Sequence, residues 1–167
     1  MTLYFSQQTG FGLEYKYSAP KHLLHLKQIY ETNNMKLIKE YTLDFCGIKY
    51  RDDGIVELEI AEGVDVDAAM ATQLTEMADE VINMPFGMLS NRVNSYSLSF
   101  EAMSILANYD NIAALAIVVH SARSRMLVET QNFFISAIKK KPIKIFMDYQ
   151  SANTWLHTTL LEIQKNN

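Results

Sequence analysis

The chain has 167 residues, 49% of them hydrophobic and 20% charged, a balance that suits one folded domain and excludes wholesale disorder. Fifteen Lys and Arg against nineteen Asp and Glu leave a net charge of −4, which argues against a nucleic-acid-binding surface. The single cysteine, Cys46, excludes an intramolecular disulfide and fits a reducing, cytoplasmic setting, where it reads as a small buried hydrophobe.

Residues 1–34 differ from the rest. Tyr4, Phe5, Phe11, Tyr15 and Tyr17 are mixed with Gly10 and Gly12 without a period, and a helix follows at 20–32 with Leu23, Leu24, Leu26, Ile29 and Tyr30 as its apolar positions. This stretch is expected to be an N-terminal extension, flexible or arising from a start upstream of Met35. A compact domain is expected over 35–165. No basic region with a following apolar core marks a secretory signal.

From Met35 the pattern is strand-like. Residues 36–45 nearly alternate, with Leu37, Tyr41, Leu43 and Phe45 on one side. Residues 48–50 and 55–60 flank Arg51-Asp52-Asp53-Gly54, and Asp-Gly between β-prone runs signals a hairpin. Ile55, Glu57 and Glu59 alternate with Val56, Leu58 and Ile60, so one face of that strand is expected to be wet. Val66, Met70, Leu74, Met77, Ala78 and Val81 then fall on a helical stripe, capped by Asp65 or Asp67 and stopped by Asn83 and Pro85.

A short strand at 86–89 and a loop at 90–96 are expected next, then a helix capped by Ser97 or Ser99 and carrying Phe100, Met103, Leu106 and Ala107. Ile112 to Val119 is an unbroken apolar run, too short for a bilayer, which needs roughly 20 residues, and suited to a strand covered on both faces. Ser121 caps a long helix with Met126, Thr130, Phe133, Phe134, Ala137 and Ile138 as its buried face. Lys139, Lys140 and Lys141 suit its C-terminus and Pro142 ends it. Residues 143–147 form another apolar strand, and Asp148 caps a last helix with Ala152, Trp155, Leu156 and Leu160. The strand–helix–strand at 112–147 is a βαβ unit. The expected fold is α/β: a single mixed sheet of four to five strands with about four helices packed on it.

Ala113 to Val119, Ser121, Ser124-Arg125, Asn132-Phe133-Phe134, the Lys-Pro at 141–142, Phe146, Asp148, Ala152 and Trp155-Leu156 together resemble the bacterial SpoIIAA-like proteins of the wider STAS/SEC14-like group. The resemblance covers about residues 37–160 and is most specific in the last third. It implies a STAS-type α/β fold and a non-enzymatic regulatory domain that recognises a protein partner through the loops after the third and fourth strands. It also admits an alternative, a carrier of a small apolar ligand such as a lipid, as in SEC14-like proteins. In the sporulation relatives a serine at the helix start after the third strand is phosphorylated. Here the matching stretch, 90–99, offers Ser95, Ser97 and Ser99 without that motif's Asp or Gly.

The strongest candidate site is the turn at 120–125. Ser121, Arg123, Ser124 and Arg125 place two hydroxyls and two cations where a strand ends and a helix begins, a setting for an anion or an acidic partner segment. Plain capping by Ser121 with solvated arginines is the simpler account. Phe100, Met103, Met126, Phe133, Phe134 and Trp155 are core residues or, in the carrier reading, a pocket lining. His22 and His25 lack the further ligands a metal needs, no phosphate-binding glycine loop is present, and no cofactor is expected. An enzyme using His120 with nearby serines would require His120 to face a cleft. Self-association through an exposed edge of the opening β segment is the remaining expectation.

Overall fold

The computed structural model describes residues 36–82, 84–136 and 141–165, with backbone alone for 130–136. The extension at 1–34 with its helix, His22 and His25, Asn83, Lys139 and Lys140, and the side chains of Phe133 and Phe134 lie outside the described residues. The account below concerns the unit Leu37–Asn167.

The two opening strands, expected at 36–45 and 48–50, form with shifted bounds. β1 (Leu37–Thr42) stops at a tight turn in which the Leu43 amide donates to the Cys46 carbonyl, and β2 (Cys46–Arg51) returns antiparallel beside it. Alternation continues through Leu43 and Phe45 because the turn residues still face the core. The Asp-Gly hairpin then forms as expected: Gly54 has φ 76°, a left-handed value that strains other residues, and β3 (Ile55–Ile60) pairs antiparallel with β2.

After the two-residue β4 (Asp65–Val66), α1 (Ala68–Val81) is capped by Asp67, whose carboxylate accepts from the Met70 amide at 2.9 Å. β5 (Phe86–Arg92) is longer than the four residues expected and takes in Ser90, Asn91 and Arg92. Polar side chains there suggest a loop, yet the backbone stays paired with β3 as far as Ser90 and with β7 (Ile112–Val119) as far as Arg92. β6 (Ser97–Leu98) pairs with β4 in a small parallel ribbon, too short to show a period in sequence.

α2 (Phe100–Asn108) starts at Ser99, whose hydroxyl accepts from the Ala102 amide at 3.0 Å. β7 (Ile112–Val119), α3 (Ala122–Ser136) and β8 (Ile143–Phe146) supply the expected strand–helix–strand, with the two strands parallel and adjacent. α4 (Tyr149–Lys165) closes the fold, and the Asp148 carboxylate accepts from the Ser151 amide at 2.7 Å.

The main sheet has six strands in the order β1-β2-β3-β5-β7-β8, more than the four to five expected, because each of the strand-like segments at 36–45, 48–50, 55–60, 86–89, 112–119 and 143–147 joins the same sheet. β1 to β3 are antiparallel and the rest parallel, so the sheet is mixed. β1 and β8 are its edges. A register shift between Leu37 and Lys39 and the exposed Lys39 and Glu40 blunt the β1 edge.

The two faces follow from the pleat. Val56, Leu58 and Ile60 meet Ala71, Leu74 and Ala78 of α1 and Ala102 of α2. Ile117 and Val119 meet Val128 of α3 on that same face, since Ile117 is in register with Ser90 and Ser90 with Leu58. Ile55, Leu89, Ala114, Ala116 and Val118 point the other way, onto Ala152, Leu156 and Leu160 of α4. Burial of a leucine such as Leu156 contributes roughly 1.5–3 kcal/mol. Two apolar assignments are corrected: Phe100 is 64% and Met126 71% exposed, and Val128 takes the place on α3 toward the sheet.

Candidate functional site

A cavity of about 90 Å³ lies on the face covered by α1, α2 and α3. Its floor is the sheet, through Leu58, Met88, Leu115 and Ile117, and α2 lines it with Met103, Leu106 and Ala107. The lining is mostly apolar, but β5 brings in Ser90 and Arg92 and the following loop brings Tyr96. The Ser90 and Tyr96 hydroxyls are 3.2 Å apart. The Arg92 guanidinium lies 4.2 Å from the Tyr96 ring centroid, and its Nη2 donates to the Tyr96 carbonyl at 3.4 Å. Lys141 also lines the cavity, and its ammonium donates to the Tyr109 carbonyl.

Of the six residues that sequence reasoning offered as a pocket lining, Met103 alone is placed among the described lining. Phe100 and Met126 face solvent. Trp155 packs on Phe146 with ring centroids 5.6 Å apart, against the α4-side core. The residues that give the cavity its polar character, Ser90, Arg92 and Tyr96, lie where the sequence predicts a loop. An alternation of Met88, Ser90 and Arg92 continuing past Leu89 was the signal available.

The turn at 120–125 does not line this cavity. Ser121 caps α3 by accepting from the Ser124 amide at 3.0 Å, and the two hydroxyls lie 2.8 Å apart. Arg125 pairs with Glu129 one turn along at 2.8 Å, and Arg123 is exposed. The four residues therefore share one surface corner, with both hydroxyls engaged with each other. His120 is exposed, its Nε2 3.0 Å from the Asn91 side-chain oxygen, while Asn91 donates to Glu59 at 3.2 Å. This row crosses the α4 face of the sheet and leaves His120 away from the cavity.

The three serines at 95–99 are each engaged. The Ser95 amide donates to Glu62 at 2.7 Å, the Ser97 hydroxyl bonds Asp65, and Ser99 caps α2. A phosphate on Ser97 would meet the Asp65 carboxylate at contact distance, a like-charge arrangement.

A second polar cluster was not foreseen. Arg51 is 1% exposed and lies beneath α4, where Nη1 donates to Glu57 Oε1 at 2.8 Å and to the Tyr149 hydroxyl at 3.2 Å. Nε donates to Asp53 at 3.1 Å, Nη2 bonds the same carboxylate, and Tyr149 donates to Glu57. His157 stands 3.0 Å from Asp53. The face of β3 expected to be wet is thus partly dry, and Glu57 is 9% exposed. Burial works to lower the Arg51 pKa, but the Asp53 hydrogen bond and the surrounding Tyr149, Asp53 and Glu57 charges outweigh it and hold the pKa above its ordinary value. The cluster ties the hairpin to the last helix. Among the described residues no group of three or more His, Cys, Asp or Glu side chains is arranged to hold a metal ion, and no helix is long and apolar enough to cross a membrane.

A family model described as a domain of unknown function (DUF7793) matches residues 48–160, from β2 into the later turns of α4. The chain belongs to this DUF7793 family. The match takes in both the cavity and the Arg51 cluster, so each is built from parts of the DUF7793 domain itself. No curated protein matches the chain. Among solved structures, it is similar to an uncharacterized protein of the DUF3478 family with a SpoIIAA-like fold from Shewanella loihica PV-4. The identity is 13% over 73% of this chain and 93% of that one, with a TM-score of 0.46. A SpoIIAA-like fold is also the one the sequence resembles.

Proposed function

We propose that this DUF7793 protein is a non-enzymatic, cytoplasmic binding domain whose working part is the cavity between the sheet and α2, and that its occupant is a small apolar molecule. The carrying observation is the void itself. An interior packed to ordinary density leaves few spaces larger than a water molecule, and a dry, apolar space is one that a small organic molecule fills. Here about 90 Å³ remains between Met88, Leu106 and Leu115, with a few polar groups at Ser90, Arg92 and Tyr96 to orient an occupant. The protein as purified should then show a small-molecule adduct in native mass spectrometry, and 1-octanol should raise its Tm. A ligand at a hundredfold excess over Kd stabilises by about 2.7 kcal/mol, which is a shift of several degrees for a domain of this size. Ala107→Phe, which fills the cavity, should lose that shift. A wild-type Tm that stays fixed up to the solubility limit of 1-octanol counts decisively against the reading.

Recognition of a protein partner through the loops after β5 and β7 is the second reading. It is favoured by exposed apolar side chains where those loops and the following helices begin: Val93 (48%), Phe100 (64%), Met126 (71%) and Leu127 (60%). A partner retained by the wild-type protein and released by Phe100→Glu or Leu127→Glu would support it. Equal retention by both variants would remove it.

A further inference from the structure

We infer that the occupant is an unbranched aliphatic chain, held with its polar end at Ser90 and Tyr96 and its methyl end toward Phe86. This rests on the reading of the cavity as a small-ligand site, and a second space extends it. A void of about 20 Å³ lies under α1 and α2, and Leu58, Leu74, Met88, Leu106 and Ile112 line both it and the cavity of about 90 Å³. The pleat gives the pair a direction. On β5, Ser90 belongs to the first space, Met88 to both and Phe86 to the second, and on β3 Ile60, Leu58 and Val56 repeat that order. The two strands are parallel, with Val56 beside Met88 and Leu58 beside Ser90, so the spaces follow one another along the strands. Phe86 and Ser90 are four residues apart, which is roughly 13 Å of strand.

A narrow track of this kind suits a single chain better than a ring. The second space has room for about one water-sized group, which fits a methyl end. No described residue of its lining is charged, and two of the hydroxyls there are engaged: Thr75 donates to the Thr72 carbonyl at 2.8 Å and Tyr109 donates to Asp79. Ser90 and Tyr96, whose hydroxyls lie 3.2 Å apart, line the first space and not the second. A polar group therefore gains partners toward the carboxyl ends of the strands and loses them toward the other end, where burial without a hydrogen bond is costly. Met88 stands where the two spaces meet and is half-buried. A methionine side chain has three rotatable bonds, so it turns aside for a passing chain while the strand stays paired.

1-Hexanol, 1-octanol and 1-decanol share a head and differ in length. Isothermal titration of the wild-type chain should show Kd falling by about fourfold for each added methylene as far as 1-decanol, the worth of a buried CH₂. Ala78 lines the second space and not the first. Ala78→Leu fills that space and should shrink the ratio of the 1-hexanol Kd to the 1-decanol Kd by about tenfold or more, the loss of at least two buried methylenes. Should that variant fail to fold, Thr75→Leu adds bulk at a half-buried position of the same lining and should shrink the ratio by about fourfold, one methylene's worth. A wild-type Kd that stops falling before 1-decanol overturns the extended chain and leaves the cavity reading standing. If none of the three alcohols binds, both readings fall. A full methylene gain that survives Ala78→Leu and Thr75→Leu alike places the tail elsewhere and also overturns the inference.

Discussion

The guanidinium of Arg51 and the carboxylate of Glu57 lie 2.8 Å apart beneath the last helix, with 1% and 9% of their residue surfaces exposed. Such a pair is costly to desolvate and costly to break: taking away one member leaves the other charge buried without its partner. Arg51→Met should therefore lower stability by about 3–5 kcal/mol, seen as a reduced urea midpoint. Glu57→Gln keeps the shape and the Tyr149 contact, so its effect should be smaller. A double-mutant cycle over both positions should return a coupling energy within roughly 0.5–3 kcal/mol. Additive single effects would mean that Asp53 alone neutralises Arg51.

Cys46 is 3% exposed, and burial pushes its thiol up to about 11 from 9.0. At pH 8 the thiolate fraction in the native protein is then about one part in a thousand, against about one in ten when unfolded. Labelling by iodoacetamide should be slower in buffer than in concentrated urea by about a hundredfold or more. The sign of the linked stability follows: the raised native pKa favours the fold below pH 9.0, and this contribution is lost as pH rises toward about 11. Rapid labelling of the native protein would show that the β2 strand opens.

Some of this could be read directly from the chain. Asp67, Ser99, Ser121 and Asp148 each cap the helix assigned to them, because an N-cap is a local bond between residues three apart. The parallel pairing of β7 and β8 followed from two apolar runs joined by a helix. The Arg51 cluster was not legible, since Tyr149 lies 98 residues from Arg51 and the alternation of β3 says only that Glu57 faces away from Leu58. Whether that second face meets water or another helix depends on where α4 returns. The lining of the cavity is hidden in the sequence for a similar reason. Its polar wall sits on the end of β5, where Ser90 and Arg92 look like loop, and the sequence places Met126 inward on a helix where, among the described side chains, Val128 is the buried one.

Asp148 is held below its ordinary value of 3.8, first by the Ser151 backbone amide and then by the Ser151 hydroxyl. A depressed carboxyl pKa gives stability that is present above the unfolded value and lost as pH falls through the folded one. The Tm gap between wild type and Asp148→Ala should thus be constant near neutral pH and shrink as pH drops below 3.8. Thermal melts of both proteins across that range check it. A gap that does not change with acid would show that the carboxylate does not hold the start of α4.

Gly87 sits where β5 passes beneath α4, and its importance is one of space. Its backbone is ordinary, but a Cβ built there would lie 3.1 Å from Leu156 Cδ2 and 3.1 Å from Leu160 Cδ1. Both neighbours are side-chain ends, so the helix can yield by a few tenths of an ångström, though Leu156 is wholly buried and has little room to turn. Overpacking of this kind typically costs 1–3 kcal/mol, and Gly87→Ala should fall at about 1–2 kcal/mol by urea denaturation, because alanine also restricts the unfolded chain and returns part of the loss. Leu160→Ala alone should cost about 2–5 kcal/mol by emptying space against the sheet. Together the two changes should cost less than their sum, since the new methyl occupies part of the space the leucine leaves. A strictly additive pair would mean that α4 shifts as a body away from the sheet and that Leu160 does not press on Gly87.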